Sequence, residues 1–152
     1  MVVIVSNRLP VAISKDATGE WQIKAGSGGL VNAIGPILKK QGGLWIGWPG
    51  CPEEEGLDEQ LDIASKNKVY TLKSVMLTED EINGYYYGFS NETIWPLFHD
   101  FHSRCNFAPE DWVTYQQVNK KFAQVITENT SIEDFVWVHD YHLLLMAEAL
   151  HT

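Results

Sequence analysis

Residues 2–10, Val2-Val3-Ile4-Val5-Ser6-Asn7-Arg8-Leu9-Pro10, carry the reading of the fold. Val2 to Val5 is a wholly apolar, β-branched run, the composition of a parallel strand buried on both faces. It passes abruptly into Ser6-Asn7-Arg8, so the strand is expected to stop there in a polar corner. The same order returns near the other end: Phe135-Val136-Trp137-Val138 is apolar throughout, His139-Asp140-Tyr141-His142 is polar, and Leu143 to Leu150 reads as helix. Strand, polar corner and helix in recurrence indicate an α/β fold, a Rossmann-like, mostly parallel sheet with helices on both faces.

The stretch between these landmarks fits that frame. Pro10 to Lys24 alternates around the turn-rich Lys15-Asp16-Ala17-Thr18-Gly19 and reads as a β-hairpin excursion. Leu30, Val31, Ile34, Ile37 and Leu38 have helical spacing, stop at Gly42-Gly43, and enclose Pro36, which should bend the helix. Leu44 to Trp48 and Val69 to Leu72 read as strands on either side of the acidic, helical or irregular stretch 53–68. Thr78 and Glu81 form a capping box, with Leu77 and Ile82 at staple spacing. A second helix is expected from Ser90 or Thr93 through Trp95, Phe98 and Phe101. A third, from Trp112 to Ile126, should turn Val113, Val118, Phe122 and Val125 to one face.

Composition narrows the function classes. At 152 residues and 45% hydrophobic content, the chain matches one domain, 1–152, with no internal repeat or linker-like tract. Twenty acidic residues against 11 basic ones give a formal charge of -9, which repels nucleic-acid backbones and anionic lipid surfaces. No apolar run reaches membrane-helix length and the first residues lack a basic, cleavable leader, so a cytoplasmic location is expected. Cys51 and Cys105 read as reduced packing thiols.

Three polar places stand where an open α/β sheet presents ligands. Arg8, one of two arginines, leaves the first strand and suits a phosphate; pairing with a carboxylate is the equal alternative on so acidic a surface. Gly26-Ser27-Gly28-Gly29 opens a helix whose N–H groups would accept an anion, or is a plain flexible loop; its spacing is that of neither a dinucleotide fingerprint nor a P-loop. Asp140 in the histidine corner would accept sugar hydroxyls. The His-x-x-His pairs at 99/102 and 139/142 lack a third ligand at metal spacing and read as packing or capping histidines. Tyr85-Tyr86-Tyr87 and Trp95 suit either sugar stacking or an ordinary core.

Taken in order, VVIVSNRLP (2–10), AGSGGL (25–30), GGLWIGWPG (42–50), YYYGFSN (85–91) followed by Trp95-Pro96, W..Y..VN..FA (112–123) and VWVHDYHL (136–143) resemble the start of the trehalose-6-phosphate synthases. The resemblance covers nearly the whole chain. It implies the N-terminal, acceptor-binding half of a GT-B glycosyltransferase that moves glucose from UDP-glucose to glucose 6-phosphate with retention, using no metal or cofactor. A nucleotide-sugar domain outside these residues would complete it, and a homo-oligomer is compatible with it. By motif, Arg8 and Tyr86 match positions that hold the acceptor phosphate, Trp95 lines that site, and Trp48 stands beside it. Asp140 matches the catalytic carboxylate on the acceptor hydroxyls, and Gly28 and Gly29 match the loop that approaches the donor diphosphate. The Arg and Lys residues that neutralise that diphosphate in the family have no counterpart here. Two other functions remain in view, a synthase for an acceptor such as glycerol 3-phosphate and a non-catalytic sugar-phosphate-binding module. A plain flavodoxin-like domain is the third.

Overall fold

The computed structural model describes residues 1–66 and 68–151; Asn67, inside the acidic stretch 53–68, and Thr152 lie outside the described residues. The strands are β1 (Val2–Arg8), β2 (Val11–Lys15), β3 (Trp21–Ala25), β4 (Gly43–Trp48), β5 (Tyr70–Ser74) and β6 (Phe135–Val138). Four of them form a wholly parallel sheet in the order β5-β4-β1-β6, and β2 with β3 make the antiparallel hairpin. Parallel pairing brings the carboxyl ends of β1, β4 and β6 to one edge, where ligands of such sheets collect.

Alternation along β1 divides the core in two. Val3 and Val5, with Leu44 and Ile46, face a layer built from Tyr85, Tyr115, Val118, Phe122 and Ile126. Ile4 and Trp45 face the other side, against α1 (Gly29–Gln41), α2 (Leu57–Ser65) and the hairpin, through Leu38, Leu57, Leu61, Val11 and Ile13. Both faces of the interior strands are thus covered, which is why β1 and β4 are apolar without alternation. Helix α1 runs through Pro36 to the Gly42 cap, whose N–H donates to Leu38 O at 2.9 Å.

The strand β1 continues three residues beyond its apolar run. Ser6 and Asn7 stay in it, although polar and buried, because their groups find partners: Ser6 Oγ accepts from Trp45 Nε1 at 2.8 Å and donates to Arg8 O at 2.7 Å. A buried polar group costs little once bonded, so polarity alone did not end the strand.

The two helices expected between 78 and 101 are one winding: α3 (Glu79–Glu81), a π-helix (Ile82–Ile94) and α4 (Trp95–Phe98). The Thr78–Glu81 capping box starts it. Ser90 and Thr93 do not begin a helix; Ser90 is fully buried and Thr93 Oγ1 donates to Asn106 O at 2.6 Å. Thirteen residues of π winding is long for that form, which is mostly met as single turns. Its glycines meet α5 (Pro109–Asn129): a methyl at Gly84 would stand 2.8 Å from Thr114 Cβ. Gly84→Ala should therefore lower stability by about 1–3 kcal/mol through overpacking, read as a fall in the urea midpoint at unchanged m-value.

Helix α5 buries Tyr115, Val118, Asn119, Phe122 and Ile126 at helical spacing. The expected stripe was turned too far round, since Val113 is exposed and Val125 only partly covered. The segment after β6 also departs from expectation. In place of a helix from 143 to 150 there is a 3₁₀ turn, Tyr141–Leu143, followed by the short α6 (Met146–Ala149).

Candidate functional site

Arg8 and Trp48 meet because β1 shifts register against β4 between Val5 and Arg8, leaving Arg8 opposite Trp48. Such a bulge re-aims the side chain that follows it. Gly47 permits the approach, since a methyl there would come within 2.9 Å of both Ser6 O and Leu9 N. The Trp48 indole N–H donates to Cys51 O at 2.8 Å, which fixes the ring, and the Arg8 guanidinium carbon lies 4.8 Å from its centroid. Among the described residues no carboxylate lies within ion-pair distance of Arg8. The carboxylate-pairing alternative is therefore not what the structure contains. Nearby Glu54 is engaged by Lys15 from the hairpin. Burial and Glu54 push the Cys51 thiol up, and Arg8 opposes them in part.

From Trp48 a file of rings leads to the opposite wall. Trp48 contacts Tyr86 at 5.6 Å, Tyr86 lies nearly parallel to His142 at 5.5 Å and 11°, and His142 stacks on Tyr141 at 4.2 Å. Asp140 begins that wall at φ 76, a left-handed conformation uncommon outside glycine. Its Oδ2 accepts from Asn7 N at 2.8 Å, joining the end of β6 to the end of β1. Asn7 Oδ1 in turn accepts from Tyr85 OH at 2.9 Å. Burial, foremost, holds the Tyr85 phenol well above its ordinary pKa, so it stays a donor.

Sequence reasoning missed the groups that hold this corner. Tyr115 OH donates to Tyr141 O at 2.8 Å and accepts from Leu144 N at 3.1 Å. Asn119, buried in α5, donates to His142 O at 3.0 Å and accepts from Leu145 N at 3.3 Å. These bonds satisfy backbone that a continuous helix would otherwise have satisfied itself. The available signal was Asn119 on an otherwise apolar helix face, a polar residue that needs a partner.

His142 is buried between Tyr86 and Tyr141, and neither ring nitrogen has a partner among the described residues. Burial pushes its pKa from 6.5 down to about 4, against a smaller upward pull from Asp140. Between those values the unfolded chain binds a proton that the folded chain refuses, so folded stability falls as pH drops through that window. The loss is on the order of 3 kcal/mol, complete below about pH 4. His142→Phe, which keeps the stack, should flatten this part of the melting-temperature profile between pH 4 and 6.5.

The other expected residues are placed as follows. Gly28 and Gly29 open α1 with no side-chain cap, and a methyl at either would meet nothing within 4 Å. Their loop is tied to the residue before β2 by Gly26 N donating to Pro10 O at 2.8 Å. Trp95 is not joined to the ring file; its ring partners are His99 at 4.1 Å and Phe101 at 6.1 Å. His99 Nδ1 meets Trp95 O at 2.7 Å, a contact of the helix end. Among the described residues no three His, Cys, Asp or Glu side chains gather as a metal site, and no helix is long and apolar enough to cross a membrane.

The sheet edge thus carries a guanidinium on an indole with no carboxylate partner among the described residues, a file of aromatic rings and a carboxylate on the far wall. Residues 1–152 match the model of glycosyltransferase family 20. The chain is similar to an alpha,alpha-trehalose-phosphate synthase [UDP-forming] of Zygosaccharomyces rouxii, 40% identical over 98% of this chain and 30% of that protein. It is also similar to the crystal structure of such a synthase from Burkholderia xenovorans in complex with glucose-6-phosphate, with TM-score 0.74 and 30% identity over 99% of this chain and 30% of that one. A structure from E. coli bound with UDP-2-fluoro glucose gives TM-score 0.73 and 30% identity over the same shares. The chain thus spans about 30% of the length of the relatives it matches, and it belongs to glycosyltransferase family 20.

Proposed function

We propose that this chain forms the acceptor-binding side of a retaining glycosyltransferase that transfers glucose from UDP-glucose to glucose 6-phosphate, giving trehalose 6-phosphate. The observation that carries the reading is Arg8: a guanidinium with no carboxylate partner among the described residues of a chain of net charge -9, stacked on Trp48 beside Tyr86. An unpaired, fork-shaped cation beside a phenol is suited to a phosphate. Asp140, on the far wall, receives the sugar hydroxyls that the phosphate anchor presents to it. The glucose 6-phosphate complex of the Burkholderia relative supports the acceptor, and the UDP-2-fluoro glucose complex supports the donor.

In this reading the acceptor hydroxyl attacks the donor sugar from the face that the diphosphate leaves, and the leaving diphosphate takes the proton. Positioning and electrostatics carry such a step, with no protein nucleophile. The Gly28-Gly29 turn offers the diphosphate the N–H groups at the start of α1, where no side-chain cap is present among the described residues. The remaining donor contacts come from a nucleotide-sugar domain beyond these residues. An open side is present: β6 is an outer strand with Phe135 and Trp137 exposed, flanked by a groove of about 770 Å³ lined by Ile132, Val136 and Leu144.

The test is titration of the isotope-labelled chain with glucose 6-phosphate, glucose, glycerol 3-phosphate and UDP-glucose. Amide shifts at Arg8, Tyr86 and Asp140 with glucose 6-phosphate, and much weaker ones with glucose, are expected. A stronger response to glycerol 3-phosphate would reassign the acceptor. Silence toward every phosphate would end the reading.

A further inference from the structure

We propose that Gly50 is a positioning residue for the acceptor phosphate: its missing side chain keeps open the slot in which the Arg8 guanidinium lies against Trp48. The inference rests on the reading of Arg8 as the phosphate ligand and deepens it. A methyl built on Gly50 would stand 2.5 Å from Arg8 Cζ and 2.9 Å from Arg8 Nε, with Nη2 closer still. The guanidinium therefore occupies the space that a side chain at residue 50 would need, with the Trp48 ring centroid 4.8 Å from its carbon.

Two further facts restrict position 50. Its φ is +97°, a conformation that strains any side chain. The turn that contains it is pinned at both sides, by Leu9 N to Trp48 O at 2.9 Å and by Trp48 Nε1 to Cys51 O at 2.8 Å, so the backbone cannot easily withdraw from an added methyl. The guanidinium is the end of a flexible, exposed side chain and yields first. A residue other than glycine would thus displace the cation from its ring before disturbing the core. The five donors of the guanidinium are useful only in a fixed orientation, because a fork that turns loses its two-point contact with phosphate.

The experiment compares Gly50→Ala, Arg8→Ala and the double variant by calorimetric titration with glucose 6-phosphate and with glucose, alongside thermal melting. Gly19→Ala serves as a control, since Gly19 also has positive φ, +84°, but has nothing within 4 Å of a built methyl. Gly50→Ala is expected to weaken glucose 6-phosphate by about tenfold or more, the scale on which misplaced site groups act, and to leave glucose unchanged. Gly19→Ala should leave both unchanged. In the Arg8→Ala background, Gly50→Ala should cost no further affinity and should depress the melting temperature less than it does in the parent chain. If Arg8→Ala itself leaves glucose 6-phosphate affinity unaltered, the phosphate reading falls and the role of Gly50 falls with it. If Arg8→Ala weakens binding but Gly50→Ala does not, or the two losses add, only the Gly50 proposal is overturned. Should Gly50→Ala alone fail to fold, the melting of the double variant decides: no recovery in the absence of the guanidinium overturns the proposal.

Discussion

Arg8→Ala is expected to weaken glucose 6-phosphate about 100-fold while barely moving the melting temperature. The two halves of that expectation share one cause. Arg8 is exposed and has no carboxylate partner among the described residues, so the folded chain loses only a stacking contact with Trp48 when the guanidinium is removed. A bound phosphate loses charge-assisted bonds worth roughly 1.5–3 kcal/mol, and 1.4 kcal/mol is tenfold in affinity. Arg8→Lys restores the charge without the fork and should recover about half of the loss in logarithmic terms. Equal glucose 6-phosphate affinity in the parent chain and in a folded Arg8→Ala variant would remove the basis of the functional proposal.

Asp140→Asn should leave the fold standing and remove most of the function. An amide oxygen at 140 still accepts from Asn7 N, and asparagine tolerates the positive φ better than most residues, so the joint between β1 and β6 survives. What disappears is the negative charge that the proposed function assigns to the sugar hydroxyls. In a chain that includes the donor side, turnover is expected to fall by about 10²- to 10³-fold, the usual range for a lost electrostatic contact at a reacting centre. Asp140→Ala adds a structural defect, an unpaired N–H at Asn7 and an alanine held at positive φ, costing about 2 kcal/mol. The two substitutions therefore separate: both lose turnover, and only the alanine melts early. Wild-type turnover in Asp140→Asn would strike Asp140 from the catalytic residues.

The fold was legible where burial and periodicity agree. β1, β4, the hairpin, the capping box at Thr78 and the parallel sheet all follow from apolar runs and turn residues. Misreadings arose where a polar or small residue looked like a boundary and was instead a bonded or packed interior group. Ser6 and Asn7 remain in a strand because Trp45, Tyr85 and Asp140 bond to that segment. Ser90 is enclosed within a π winding whose period no α-helical template matches. The corner after β6 is set by Tyr115 and Asn119, which lie more than twenty residues upstream; Asn119 shows that it needs a partner but not which segment supplies it.

The motif order offered a set of candidate positions without their geometry. Order of motifs pointed to Arg8, Trp48, Tyr86 and Asp140, which the fold gathers at one sheet edge through the ring file and the Asn7 bond. Trp95 belongs to the same motif run but turns toward His99 and Phe101, because a shift of a few residues along a helix changes the face presented. Gly50 closed the motif 42–50 but carried no sign there of its contact with Arg8.

The sheet order has a consequence for how the site opens. Arg8 rises from an interior strand flanked on both sides, whereas Asp140 follows β6, which has one neighbour and two exposed aromatic residues. Amide protons of β1 will exchange with solvent only when the whole sheet comes apart, and those of β6 will exchange by local opening at lower free energy. Under the proposed function, Arg8 as phosphate anchor thus stands on the permanent side of the site and Asp140 on the side that breathes, so a partner that docks along β6 would govern how long a captured sugar stays aligned.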